Sequence, residues 1–139
     1  MRVLAIMGLV LVANLAWAEP GLLTVTGFGT VDTKAFASKS QGKMMAVRAA
    51  QVDGQRQLAA SIKGVELTGG TTVEEYEVTS DLVATRVRGL VRGAFVLEKD
   101  VQEEDEALIA EVQMAVCLDK RPQVCRDRPT LESIVAEPQ

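Results

Sequence analysis

Three places in the sequence carry residue types that could do chemistry. The first is Gly27-Phe28-Gly29, inside "LLTVTGFGTVDT". Gly-x-Gly is half of the dinucleotide fingerprint, in which a strand runs through a glycine turn and the phosphate sits on the next helix N-terminus. The third glycine of that motif would fall at Asp32, whose carboxylate repels a pyrophosphate and blocks close helix packing. The helix pattern also starts several residues too late. Gly27 and Gly29 are therefore read as structural glycines, since a glycine inside a strand permits a bulge or a close backbone approach. No cofactor is expected.

The second place is a set of charge clusters. Glu74, Glu75 and Glu77 fall in "TTVEEYEVTS", where a strand would put Glu75 and Glu77 on one face and Glu74 on the other. That is a solvated strand rather than a catalytic carboxylate pair. Arg86, Arg88 and Arg92 would align on a continuous strand, as a basic stripe for an acidic partner or lipid headgroups or as a salt-bridged outer face. The run Glu103 to Glu106 lacks the alternating Asp/Asn and Gly of a calcium loop, and reads as a solvated turn. The chain has no histidine, which removes the commonest general base and metal ligand together. Its net charge of −4 argues against a nucleic-acid partner.

The third place is the cysteine pair, Cys117 and Cys125, with Pro122 between them. Its chemistry depends on compartment. The opening "MRVLAIMGLVLVANLAWAEP" has a basic n-region at Arg2, an apolar run from Val3 to Leu15, and the small-x-small site Ala16-Trp17-Ala18. This is the pattern of a secretory signal peptide over residues 1–18, cut between Ala18 and Glu19. A membrane anchor is the rival, but the run is shorter than the roughly 20 residues of a spanning helix and Asn14 interrupts it. No cysteine follows the cut, so lipidation there is not expected. Removing Arg2 with the leader takes the 15 basic residues to 14 against 19 acidic, a net charge of −5. In an oxidising compartment an even cysteine count points to a Cys117–Cys125 disulfide. Free thiols or a metal pair are the alternatives, and two cysteines without histidine make a poor zinc site.

Those residues need elements to place them. Apolar residues make up 47% of the chain and aromatics only 4%, so one modest domain with an aliphatic, alanine-rich core is expected. Alternation and β-branched residues predict a strand over about 22–31. A helix is predicted over about 40–63, with Ser38 and Gln41 at capping-box spacing, Val47, Gly54, Leu58 and Ile62 on its core face, and Gly64 as its C-terminal stop. "VELTGGTTVEEYEVTS" reads as strand-like with a bend at Gly69-Gly70. "SDLVATRVRG" fits either a short helix capped by Ser80 or a continuing strand. "GLVRGAFVLEKDV" and "EALIAEVQMAVCL" read as an antiparallel hairpin around the acidic turn, with Leu108, Ala110, Val112, Met114 and Val116 on one face. Beyond residue 118 three prolines punctuate a tail over 119–139, where Thr130 could cap a short helix through Ala136. The domain is then residues 19–118: an α+β fold with one long helix on a small antiparallel sheet and room for a second short helix.

Several of these pieces together resemble one bacterial envelope family. "VTGFG", "AVRAAQVDGQRQLAASIKGVELTGGTTV" and "SDLVATRVRGLVRGAFVLEKDV" carry a Gly-x-Gly strand, an R-A-A…D…R-x-L-A helix core, an I-x-G-V exit and a V-x-G-x-V-x-G-A segment. These fall at Gly27 and Gly29, at 48–59, at 62–65 and at 87–94. The chain thereby resembles the LPP-twenty lipoprotein family, which includes flagellar outer-membrane proteins of the FlgP type, and is similar to the FlgT N-terminal domain. The resemblance spans about residues 24–117. It implies a small α+β domain, no known catalysis, and in some members assembly into rings beneath the outer membrane. The chain departs from many members in having Ala18-Glu19 where they carry a lipidated cysteine.

The expectation is a non-enzymatic, exported, periplasmic structural or assembly protein, associated with the outer membrane without lipidation if at all, and flagellum-related if the resemblance extends that far. Its expected partners are further copies of itself or envelope and flagellar proteins, with peripheral membrane contact and no nucleic acid. The alternative is a periplasmic binding module for a small ligand, lipid or cell-wall component.

Overall fold

Strong helix formers dominate residues 39–63, and the alternating runs before and after them each have an apolar face to cover. A computed structural model, which describes residues 19–136, shows how they combine. Strand β1 (Leu22–Asp32) leads through a 3-10 turn at Thr33–Ala35 into the long helix α1 (Lys39–Lys63). Two shorter helices follow, α2 (Val73–Thr79) and α3 (Asp81–Arg92). The chain then forms β2 (Phe95–Glu104), β3 (Ala107–Cys117), a 3-10 turn at Gln123–Cys125, and α4 (Leu131–Ala136). The sheet is fully antiparallel with strand order β1-β3-β2. The fold is α+β, a long helix over a three-stranded antiparallel sheet, with three further short helices: α3 and α4 in segments where a short helix was one reading, and α2 in a segment read as a strand. The leader with its Ala18 lies outside the described residues. Among the described residues no helix is long and apolar enough to cross a membrane.

The hairpin and its faces match the sequence pattern. Leu108, Ala110, Val112, Met114 and Val116 are all buried on the face that meets α1. The connection turns at Asp105, which takes the left-handed region at φ 54°. Asp tolerates that region better than most residues. The acidic turn is tied to the 3-10 turn and to the start of α1: Lys34 pairs with Glu106 and Lys39 with Glu103, each at 2.6 Å.

Two segments differ from the sequence expectation. Residues 73–79 form a helix, not a strand. Thr72 accepts from the Glu75 backbone N–H, and the Glu75 carboxylate accepts from the Thr72 N–H at 2.7 Å. This reciprocal cap satisfies two otherwise orphaned donors and overrides the alternation of "TTVEEYEV". The only extended pairing here is a single bridge, Glu66 to Thr72, closed by Gly69 and Gly70 at φ +99° and +82°. Residues 81–92 take the helical alternative, capped by Ser80 as that reading required, but the helix runs on to Arg92, so β2 starts at Phe95 rather than near Gly89. Val83, Val87, Leu90 and Val91 are buried at helical spacing, which outweighs the equally visible alternation. Arg86, Arg88 and Arg92 therefore do not form a strand-face stripe.

At the far end, α4 begins where expected. Ser133 donates its N–H to the Thr130 hydroxyl at 3.1 Å, and Leu131 and Ile134 join the common core. The Glu132 N–H reaches the Leu118 carbonyl at 2.9 Å, fastening α4 to the end of β3.

Candidate functional site

The buried row on α1 is Gly42, Ala46, Ala50, Gly54, Leu58 and Ile62, spaced four residues apart. Its first four members are small, its last two large. The small half lies over Gly27 and Gly29 of β1. A Cβ at Gly27 would stand 2.1 Å from the Ala50 carbonyl oxygen and 2.5 Å from the Gly54 nitrogen. At Gly29 it would stand 2.3 Å from the Ala46 oxygen and 2.5 Å from the Ala50 nitrogen. Every obstructing atom is backbone except the Ala49 Cβ, 2.9 Å from the Gly29 position, and a Cβ is fixed to its backbone, so no side-chain rotation can relieve the clash. Neither glycine has a positive φ, and the β1–β3 register is unbroken from Leu22 to Asp32. Of the two structural uses open to a strand glycine, close approach is the one realised. Gly64 does end α1, donating its N–H to Ser61 and Ile62, but at φ −83°, so the left-handed conformation that favours glycine is not used there.

Close approach brings α1 onto the outer edge of β1. The Phe28 N–H, which points away from β3, donates to Asp53 Oδ2 at 2.9 Å. Two residues back, the Thr26 carbonyl accepts from Gln57 Nε2 at 2.8 Å, and the same amide donates to Asp53 Oδ2 at 2.9 Å. Asp53 and Gln57, one turn apart, thus supply the acceptor and the donor that a neighbouring strand would supply. The Phe28 N–H foremost, then Gln57 and Arg56, hold the Asp53 carboxyl below its ordinary value. Sequence reasoning found the glycines but not this pair. The signal was present as Asp and Gln at i and i+4 in a helix otherwise rich in alanine.

The other sheet edge is built differently. The Thr33 N–H to Glu106 carbonyl and Leu118 N–H to Gly21 carbonyl bonds show that even-numbered β3 residues face β1. Odd-numbered β3 residues then face β2, pairing with Phe95, Glu98, Asp100, Gln102 and Glu104. The backbone groups of Lys99, Val101 and Glu103 consequently point outward along the free edge of β2. No side-chain bond to them occurs among the described residues. Beside this edge a groove of about 500 Å³ runs between α1 and β2, lined by Met44, Met45, Val47, Arg48, Lys99 and Val101. Met44 is 72% and Met45 39% exposed.

A third region lies at the other end of the sheet. Cys117 and Cys125 stand at disulfide-bonding distance, their sulfurs 1.98 Å apart, and both are buried. Arg128 lies 4.2 Å above the Phe95 ring. Between α3, α4 and the strand ends is an apolar cavity of about 250 Å³, with Gly89, Leu90, Val116 and Ile134 in its wall and Arg86 and Arg128 beside it. A side chain at Gly89 would meet open space.

Two of the carboxylates are held in local contacts. Glu75 is engaged in the α2 cap, which lowers its pKa through the Thr72 N–H. Asp119 is bound by Arg121 at 2.7 Å, which holds the carboxyl low and the guanidinium high. Among the described residues no group of three His, Cys, Asp or Glu is placed to hold a metal ion.

Compared with known proteins, the chain matches no family model, no curated protein and no solved structure.

Proposed function

We propose that this chain is a non-catalytic assembly protein of the bacterial envelope, exported to the periplasm and of the LPP-twenty kind. The observation that carries the reading is the open β2 edge beside exposed Met44 and Met45. Exposed strand edges recruit other chains, and natural proteins normally blunt them, as Asp53 and Gln57 do on β1. The leader pattern, the cysteine pair and the sequence resemblance support export and the family; association with flagellar or outer-membrane proteins rests on the resemblance alone. Light scattering on the protein cut before Glu19 tests the reading. A defined oligomer is expected; a strict monomer at every accessible concentration would overturn it.

A second reading has one observation in its favour, the apolar cavity beside Arg86 and Arg128. An apolar pocket with cations at its rim suits an amphipathic anion such as a lipid or cell-wall fragment. A thermal shift with short fatty acids, abolished by Gly89→Leu, is the expected result of that reading, because a ligand that binds only the folded state raises the melting temperature.

A further inference from the structure

We infer that the occupant of the β2 edge is a second copy of the chain, paired antiparallel about Val101. The inference rests on the assembly reading above and adds to it the partner, the strand and the register. A strand adds to an edge through unpaired outward backbone groups, and on β2 these belong to Lys99, Val101 and Glu103. The edge of β1 cannot serve as the partner, because Asp53 and Gln57 occupy its Phe28 N–H and Thr26 carbonyl. The remaining combination within this fold is β2 on β2, a two-fold contact in which one patch meets itself.

The charges select the register. With Val101 on the two-fold axis, Lys99 lies directly opposite Glu103 of the second copy, and the symmetry repeats the pair. Lys99 has no ion-pair partner among the described residues, whereas Glu103 already holds Lys39. Each Glu103 would then lie between two lysines, on the face of the sheet that carries α1. A two-fold at Asp100 sets Asp100 against itself and gives Lys99 no acid. A two-fold at Lys99 sets lysine against lysine, and one at Gln102 sets Asp100 against Glu104. The favoured register has one kind of opposing contact on the other face, Glu98 against Glu104, which the symmetry also repeats; both residues are exposed and so screened by salt. A two-fold perpendicular to the sheet keeps both α1 helices on one face, so Met44 and Met45 of the two copies flank the Val101 dyad. The product is one continuous six-stranded sheet made from two three-stranded ones.

Sedimentation equilibrium on the purified protein and five variants tests this. Lys99→Glu alone and Glu103→Lys alone should each weaken dimerisation about tenfold or more, since two cross-strand pairs change from attractive to repulsive. The double variant restores opposite charges and should recover most of that loss. Val101→Pro removes an outward N–H without touching the ladder to β3 and should give a folded monomer. Glu98→Lys should tighten the dimer, because it replaces the opposing contact with Glu104. Circular dichroism of each variant confirms that it folds. An oligomer that ignores all of these changes overturns the β2 interface and leaves the assembly reading standing. A wild-type protein that never associates overturns both. Weakening by the single reversals without recovery in the double variant overturns the register.

Discussion

The two edges of the sheet solve opposite problems with the same material. On β1 the neighbouring helix comes close enough to replace a strand, because Gly27 and Gly29 remove the side chains that would hold it off. Asp53 and Gln57 then reach the strand's outward N–H and carbonyl. On β2 the same helix stands away, and the gap is a groove lined by methionines. Edge protection is therefore a matter of helix height over the sheet as much as of the edge's own sequence. Both edges carry backbone groups of equal hydrogen-bonding capacity; only the closed one has side chains within reach of them.

The largest break in this contrast should come from Gly29→Val. A Cβ there meets the backbone of Ala46 and Ala50, so α1 must lift off β1, and loss of the cooperative thermal transition is expected. Leu58→Ala, which leaves the closed approach intact but empties its anchor, should destabilise by about 2–5 kcal/mol in urea unfolding. Losing the Cys117–Cys125 bond acts on neither edge. Reduction should lower stability by about 2–3 kcal/mol in the chain-entropy view, and alkylation of unreduced, denatured protein should find no free thiol.

A matched pair sharpens the comparison further. Phe28→Pro deletes an N–H that Asp53 binds, whereas Val101→Pro deletes one that has no partner within the chain. The first should lower the melting temperature more than the second, measured on monomeric protein. The smallest effect expected is on acid stability. The Asp53 pKa is lowered from 3.8 in the folded chain, so the unfolded chain binds the proton more readily. Its contribution is present above about pH 4 and is lost as pH falls through and below that value. Asp53→Asn should flatten this part of the stability–pH curve; an unchanged slope would show that the carboxylate's bonds to β1 are not maintained in solution.

Much of the architecture was legible from residues alone. Ala, Gln, Arg and Leu over 39–63 permit little but a helix, and the faces of β3 follow from strict alternation with one side buried. In 81–92 periods of 2 and 3.6 coexisted and composition could not choose between them, while in 73–79 the alternation pointed to a strand. The choice fell to the Thr72–Glu75 cap and to burial of Val83, Val87 and Leu90 against the core. The two glycines could be assigned a structural role in advance, because the third residue of a phosphate motif is Asp32. Which structural role they play, and that Asp53 and Gln57 close an edge, depended on a helix about thirty residues away settling onto that strand. The open edge of β2 is likewise invisible in one dimension. Sequence shows that Lys99, Val101 and Glu103 alternate, but only the strand order β1-β3-β2 leaves their backbone unpaired, since an edge is a property of the sheet and not of the strand.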